Sequence, residues 1–187
     1  MLTLFKTFVR PRLEYVSPVW SPYLVGDISR IEAIQRAFTA KIKGLESLNY
    51  WERLRVLELY SLQRRRERYK ILLLWKIYRG IVPNHMDIAF RETGRRGACI
   101  QRPLGKSSSK RINSLIFNSC TSTAVSLFNA VPREVKEMGS LEGAKRALDK
   151  FLRGIPDRPP IKGYVSQNHN SILEWLACRG TLITVDT

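Results

Sequence analysis

Apolar residues recur at helical spacing along much of this chain, and the breaks between runs fall at proline, glycine or capping residues. Residues 2–17 pattern as a helix that Pro11 breaks or kinks, because proline lacks the amide donor and crowds the preceding turn. Pro18 and Pro22 then predict an extended connection. Asp27 is the expected N-cap of a helix running to about Lys43, with Gly44 as its stop. Ile28, Ile31, Ile34, Phe38 and Ile42 fall on one side of it, and Glu32 and Arg36 lie opposite as an i,i+4 pair. Asn49 with Glu52 is a capping signature for a short helix through about Leu59. The longest run begins at Ser61 or Leu62 and continues to Arg79, where Gly80 and Pro83 end it. From Leu72 to Tyr78 it is apolar on nearly every face, which predicts the central buried element.

Beyond residue 84 the pattern loses its helical stripe. Gly94, Gly97, Gly105 and the serines at 107–109 punctuate a basic segment in which Leu115-Ile116-Phe117 reads as a short strand. Order returns with a helix over Ala124 to Asn129, a turn at Val131-Pro132, and a helical turn from Arg133 to Lys136. Ser140 caps a helix from Leu141 to Leu152 whose apolar face is Leu141, Ala144, Leu148, Phe151 and Leu152. Residues 155–160 read as an extended linker, and Ile172-Leu173 with Trp175-Leu176 as one short helix. The expected fold is therefore mostly α. A helical bundle over 1–83 precedes a basic, loop-rich connection over 84–123, a smaller helical region over 124–154 and an extended tail over 155–187.

Charge adds a partner to this picture. Lys and Arg number 32 against 16 acids, giving +16, and such a field attracts a polyanion whatever the fold. Residues 1–80 hold 16 basic and 7 acidic groups, residues 81–125 hold 7 and 2, and residues 126–187 hold 9 and 7. Nucleic acid is thus expected to meet the first two-thirds of the chain. The run Gln63-Arg64-Arg65-Arg66-Glu67-Arg68 is its strongest candidate. Arg64 and Arg68 lie i,i+4, with Trp75 and Arg79 continuing the same strip, so guanidinium groups would neutralise phosphates beside an aromatic surface. Lys6, Arg10 and Arg12, and Arg36, Lys41 and Lys43, are secondary candidates. The competing reading of Trp75 is a core residue, and of the cations an ordinary solvated face.

Other chemistries find little footing. The longest apolar run, Ile71 to Trp75, is closed by Lys76, far short of the roughly 20 residues of a bilayer span, so no membrane role is expected. Cys99, Cys120 and Cys178 are odd in number and widely spaced, which suggests reduced thiols in an intracellular protein, nuclear or cytoplasmic. With His85 and His169 they form no metal-ligand spacing. Asp27, Asp87, Asp149, Asp157 and Asp186 are scattered, whereas two-metal nucleotidyl transfer needs carboxylates held together. Gly105-Lys106-Ser107 matches only the end of a phosphate loop, because Ile100 stands where its first glycine belongs. No serine sits in a nucleophile elbow.

Several blocks in order resemble one family. Lys6-Thr7-Phe8-Val9-Arg10-Pro11-Arg12-Leu13-Glu14-Tyr15 with Val19-Trp20-Ser21-Pro22-Tyr23 resembles the segment after the polymerase palm in LINE-type, jockey-like non-LTR retrotransposon reverse transcriptases. Glu32-x-x-Gln35-Arg36, then Tyr50-x-Glu52-Arg53-Leu54-x-x-Leu57, then Tyr78-Arg79-Gly80, resemble the blocks that follow. Near the other end, Phe128-Asn129-Ala130-Val131-Pro132 and Leu148-Asp149-Lys150-Phe151 continue the likeness, although Phe128 replaces the usual tryptophan and Thr123 an arginine. The resemblance implies a thumb and downstream region of an RNA-directed DNA polymerase, without catalytic residues of its own. Template RNA or an RNA–DNA duplex would be the partner, and the palm with its Mg2+ would lie upstream of Met1, so no cofactor is expected in this chain. The rival reading is a domesticated or relic helical module that binds protein.

Overall fold

The computed structural model describes residues 2–85, 88–93, 97–100, 109–158 and 170–178. The chain is mostly helical, with two short strands among the described residues. It divides into two compact units, one of residues 1–66 with 156–187 and one of residues 67–155. That partition differs from the expected four consecutive segments, because contacts between residues distant in sequence, rather than composition, decide it.

In the first unit, α1 (Leu2–Leu4), a π-helical turn (Phe5–Val9) and α2 (Arg10–Glu14) follow one another. The amide of Arg10 reaches back to the Phe5 carbonyl, a wider turn that precedes Pro11 in the first turn of α2. Val16 then takes left-handed backbone at φ 49°, and α3 (Ser17–Trp20) begins with Pro18 in its first turn. The expected extended connection is thus a short helix at Pro18, where a missing amide costs nothing. α4 (Val25–Ala40) starts two residues ahead of the expected cap, with Leu24 at its N-cap and Asp27 in its first turn. α5 (Tyr50–Val56) carries the capping box between Asn49 and Glu52. Tyr50, Leu54 and Leu59 form a core cluster with Leu2, Trp51 and Leu57 against it, and Phe5 stacks on Phe38 at 4.5 Å.

The long helix α6 (Leu62–Tyr78) is divided between the units after Arg66. It ends as expected at Gly80, whose φ of 70° lets the Gly80 amide reach Ile77 and the Ile81 amide reach Lys76. In the second unit Leu74, Trp75 and Ile77 pack with Val125, Phe128 and Ala144. β1 (Phe90–Thr93) and β2 (Gly97–Ile100) pair antiparallel with Phe90 opposite Ile100 and Thr93 opposite Gly97. The Asn129 side chain extends this pairing, accepting from the Ile100 amide at 2.8 Å and donating to its carbonyl at 2.9 Å. α7 (Lys110–Phe117) replaces the strand expected at residues 115–117, its amides bonding i to i−4 from Asn113 onward. α8 (Cys120–Ala130) begins four residues ahead of the expected Ala124, with Ser119 as its N-cap, and α9 (Arg133–Lys136) and α10 (Leu141–Arg153) follow the predicted pattern, with Ser140 capping α10 through the Gly143 amide at 3.1 Å. The last described helix, α11 (Ile172–Cys178), belongs to the first unit.

The end of α5 is a Schellman turn made without glycine. The Leu59 amide bonds the Leu54 carbonyl at 2.8 Å and the Glu58 amide bonds the Arg55 carbonyl at 3.2 Å, with Leu54 and Leu59 in hydrophobic contact. Glu58 sits between them at φ 50°, a left-handed conformation that a Cβ disfavours. Glu58→Gly is therefore expected to stabilise the chain by about 1 kcal/mol, read as a higher urea midpoint at unchanged slope. An unchanged or lower midpoint would contradict strain at this position.

Candidate nucleic-acid interface

α4 buries its polar side. Glu32, Gln35 and Thr39, spaced i, i+3, i+7, are its buried residues, while Ile34 is 43 % exposed. The expected apolar stripe is thus only partly inward, and the reason lies at the start of α6. The first amides of any helix lack partners within it, and here Glu32 accepts from the Leu62 amide at 3.1 Å and the Gln63 amide at 3.3 Å. The Tyr50 hydroxyl also donates to Glu32, and Gln35 donates to both Tyr50 Oη and the Tyr60 carbonyl at 3.1 Å.

Asp157 completes this end of the helix from almost a hundred residues away. Its carboxylate accepts from the Ser61 amide at 2.6 Å and the Ser61 hydroxyl at 2.8 Å, while Ser61 Oγ accepts from the Arg64 amide at 3.1 Å as an N-cap. Asn170 donates to Ser61 Oγ at 2.9 Å and to Asp157 at 2.8 Å. Trp175 donates from its ring nitrogen to the Arg158 carbonyl at 2.8 Å. The segment expected to be an extended tail is therefore anchored at both described pieces.

This geometry redirects the arginine run. Arg64 is wholly buried, with its guanidinium 2.8 Å from the Pro156 carbonyl and 3.9 Å from Asp157, so its expected role as a surface phosphate contact is corrected. Arg68 makes a bidentate pair with Asp149 at 2.6 and 2.8 Å. Arg65 pairs with Glu14, which also lies 3.9 Å from Arg10. Arg79 is exposed, but its guanidinium donates to the Met138 carbonyl at 2.7 Å and the Glu137 carbonyl at 3.2 Å. Trp75 is 1 % exposed and belongs to the core, so the strip of stacking ring and cations does not form at the surface. Carboxylates far away in sequence, invisible to helical periodicity, hold Arg64, Arg65 and Arg68 in internal pairs.

The secondary candidates fare differently. Arg12, Arg36, Lys41 and Lys43 are exposed and Lys6 is half-buried. Arg36 lies near the end of α4, Lys41 is its C-cap and Lys43 follows in the next turn, and the Arg36 guanidinium lies 5.0 Å from the Tyr50 ring centroid. Three further exposed cations, Arg146, Lys150 and Arg153, lie on α10, in the segment whose low net charge hid them; their i, i+4, i+7 spacing was the available signal. The Gly105-Lys106-Ser107 fragment lies outside the described residues.

Among the described residues, no group of three or more His, Cys, Asp or Glu side chains could hold a metal ion, and no helix is long and apolar enough to cross a membrane. Fold and surface together define a mostly α-helical, strongly basic protein whose exposed cations include Arg36, Lys41 and Lys43 around the end of α4 and Arg146, Lys150 and Arg153 on α10. Set beside known proteins, the chain matches no family model, no curated protein and no solved structure.

Burial is the largest influence on Glu32 and holds its carboxyl above the ordinary 4.5, while the Tyr50 hydroxyl, the Leu62 amide and Arg66 pull the other way. A raised carboxyl pKa gives stability that is full below the unfolded value and is lost as pH rises through the folded one. Relative to Glu32→Gln, the wild-type chain should therefore lose stability as pH rises above 4.5. Urea midpoints of the two proteins that run parallel at every pH would refute burial as the dominant influence. Arg64→Ala strips a buried cation from Asp157 and should cost about 3 kcal/mol in the same assay.

Proposed function

We propose that this chain is the non-catalytic thumb and downstream region of a LINE-type non-LTR retrotransposon reverse transcriptase, and that it holds template RNA or an RNA–DNA duplex by phosphate contacts. The ordered motif blocks support the family, and the charge of +16 supports a polyanionic partner. The observation that carries the binding mode is the outward exposure of Arg36, Lys41 and Lys43 around the end of α4, while Arg64, Arg65 and Arg68 of α6 are matched by carboxylates and carbonyls. Arg12 is exposed in the same unit and adds a fourth cation. Contacts of this kind neutralise phosphates without reading bases, so they are sequence-independent and sensitive to salt.

A second reading, a module that binds protein, draws on a different observation. Phe8, Tyr15 and Val19 are 67 %, 78 % and 65 % exposed, and Leu4, Trp20 and Leu24 are also exposed, a concentration of apolar surface on the first two dozen residues. In the retrotransposon reading the same surface is where the upstream palm would rest.

Filter binding of a short RNA–DNA hybrid tests the proposal. Four phosphate contacts should weaken affinity on the order of a hundredfold between about 50 and about 200 mM salt. Affinity that is absent at the lower salt, or indifferent to salt, would sink the proposal. Lys41→Glu/Lys43→Glu should weaken hybrid binding and make its salt slope shallower by about two, and spare any docking on the apolar surface. Reversal at Arg64 and Arg68 does not separate the two readings, because it would bury a carboxylate beside Asp157 and unfold the first unit.

A further inference from the structure

α10 divides its two faces with little overlap. Ala144, Leu148 and Leu152 are wholly buried, and Glu142, Arg146, Lys150 and Arg153 are exposed. The three cations follow one another at i, i+4 and i+7, so they form a single row along the outer side of the helix. At 1.5 Å per residue that row is about 10 Å long. Along one strand of a duplex, phosphates advance about 3.4 Å per nucleotide, so the row spans about three of them.

The acids of α10 do not cancel this row. Glu142 is met by Lys145 at 2.6 Å, which together with that cation's charge draws its carboxyl below the ordinary range. Asp149 flanks the row, four residues before Arg153, and is held by Arg68 in a bidentate pair. Each acid of the helix thus has a cation outside the row as its direct partner, while the charge of Arg146 also acts on Glu142 four residues before it. The three cations of the row are exposed, with Arg146 also donating to the Glu142 carbonyl at 3.4 Å, although residues 126–187 as a whole hold 9 basic and 7 acidic groups. The helix's own electrostatics account for part of the arrangement, since cations in a last turn complement the dipole, but Arg146 lies two turns before the end.

We infer that the outer face of α10, through Arg146, Lys150 and Arg153, is a second phosphate-backbone contact surface for nucleic acid, in a different unit from the cations of α4. The occupant is fixed by charge complementarity: a regularly spaced row of three cations with no aromatic platform among them fits successive phosphates, and carries nothing to read bases. The inference rests on the proposed nucleic-acid binding and extends it to a surface outside the first two-thirds of the chain.

The test uses the full chain with Arg146→Gln/Lys150→Gln/Arg153→Gln, a substitution that keeps helix propensity and removes only charge. Binding to a 20-nucleotide RNA–DNA hybrid is measured across a salt series, with the melting temperature of each protein as a check on folding. The expected result is a melt close to wild type and a log–log salt slope shallower by about two to three, because each lost phosphate contact removes nearly one unit. Identical slopes and affinities in the two proteins would overturn this inference and leave the α4 reading standing. Wild-type protein that fails to bind the hybrid would overturn both. Wild-type binding confined to phosphatidylserine vesicles, lost in the triple variant, would assign the row to a membrane surface and overturn the inference as well. Should the triple variant melt early, the single change Lys150→Gln, expected to lower the slope by about one, carries the same decision.

Discussion

The start of α6 is the constraint around which the first unit is organised. A helix that begins inside a folded unit brings unpartnered amides with it, and each would cost on the order of a kcal/mol or more if left dry. Glu32 answers two of them, Ser61 caps a third, and Asp157 holds Ser61 in place. Both carboxyls gain from the positive end of the helix dipole, so the arrangement satisfies donors and charge together. From this follow the polar inner face of α4, the position of Tyr50 and Gln35, and the return of residues 156–158 and 170–178 to the first unit.

Charge in this protein is therefore of two kinds. Arg64, Arg65 and Arg68 are structural, because each has a carboxylate or carbonyl brought to it by another element. The cations toward the end of α4 and along α10 are exposed and confront solvent rather than a buried acid. Only the second kind can neutralise a phosphate at little cost, since the first would have to leave a buried partner uncompensated. Composition counts both kinds alike, which is why the density of arginines in residues 63–68 singles out side chains that the fold holds in internal pairs.

The second unit shows the same separation between local and distant determinants. Gly80 and Ser140 act within a turn of their own helices, and their roles are readable from spacing. Asn129 is another matter: its side chain pairs with the backbone of Ile100 as a strand would, a role that no pattern within α8 announces. The hairpin of β1 and β2 likewise lies in a stretch that glycine content alone describes as loop.

Most helices were legible in the sequence, because caps, stops and apolar spacing act over three or four residues. The box at Asn49 and Glu52, the stop at Gly80, the core position of Trp75 and the short helix at Ile172 all belong to that class. The strand expected at residues 115–117 failed for the opposite reason, since three apolar residues carry too little periodicity to tell strand from helix. What only the tertiary structure decided is which face of each helix is buried and which cation is free to act. Ser61 meets Asp157 across 96 positions of sequence and Arg68 meets Asp149 across 81. An ion pair or a capped amide depends on the distance between groups in space, and no local pattern carries that distance.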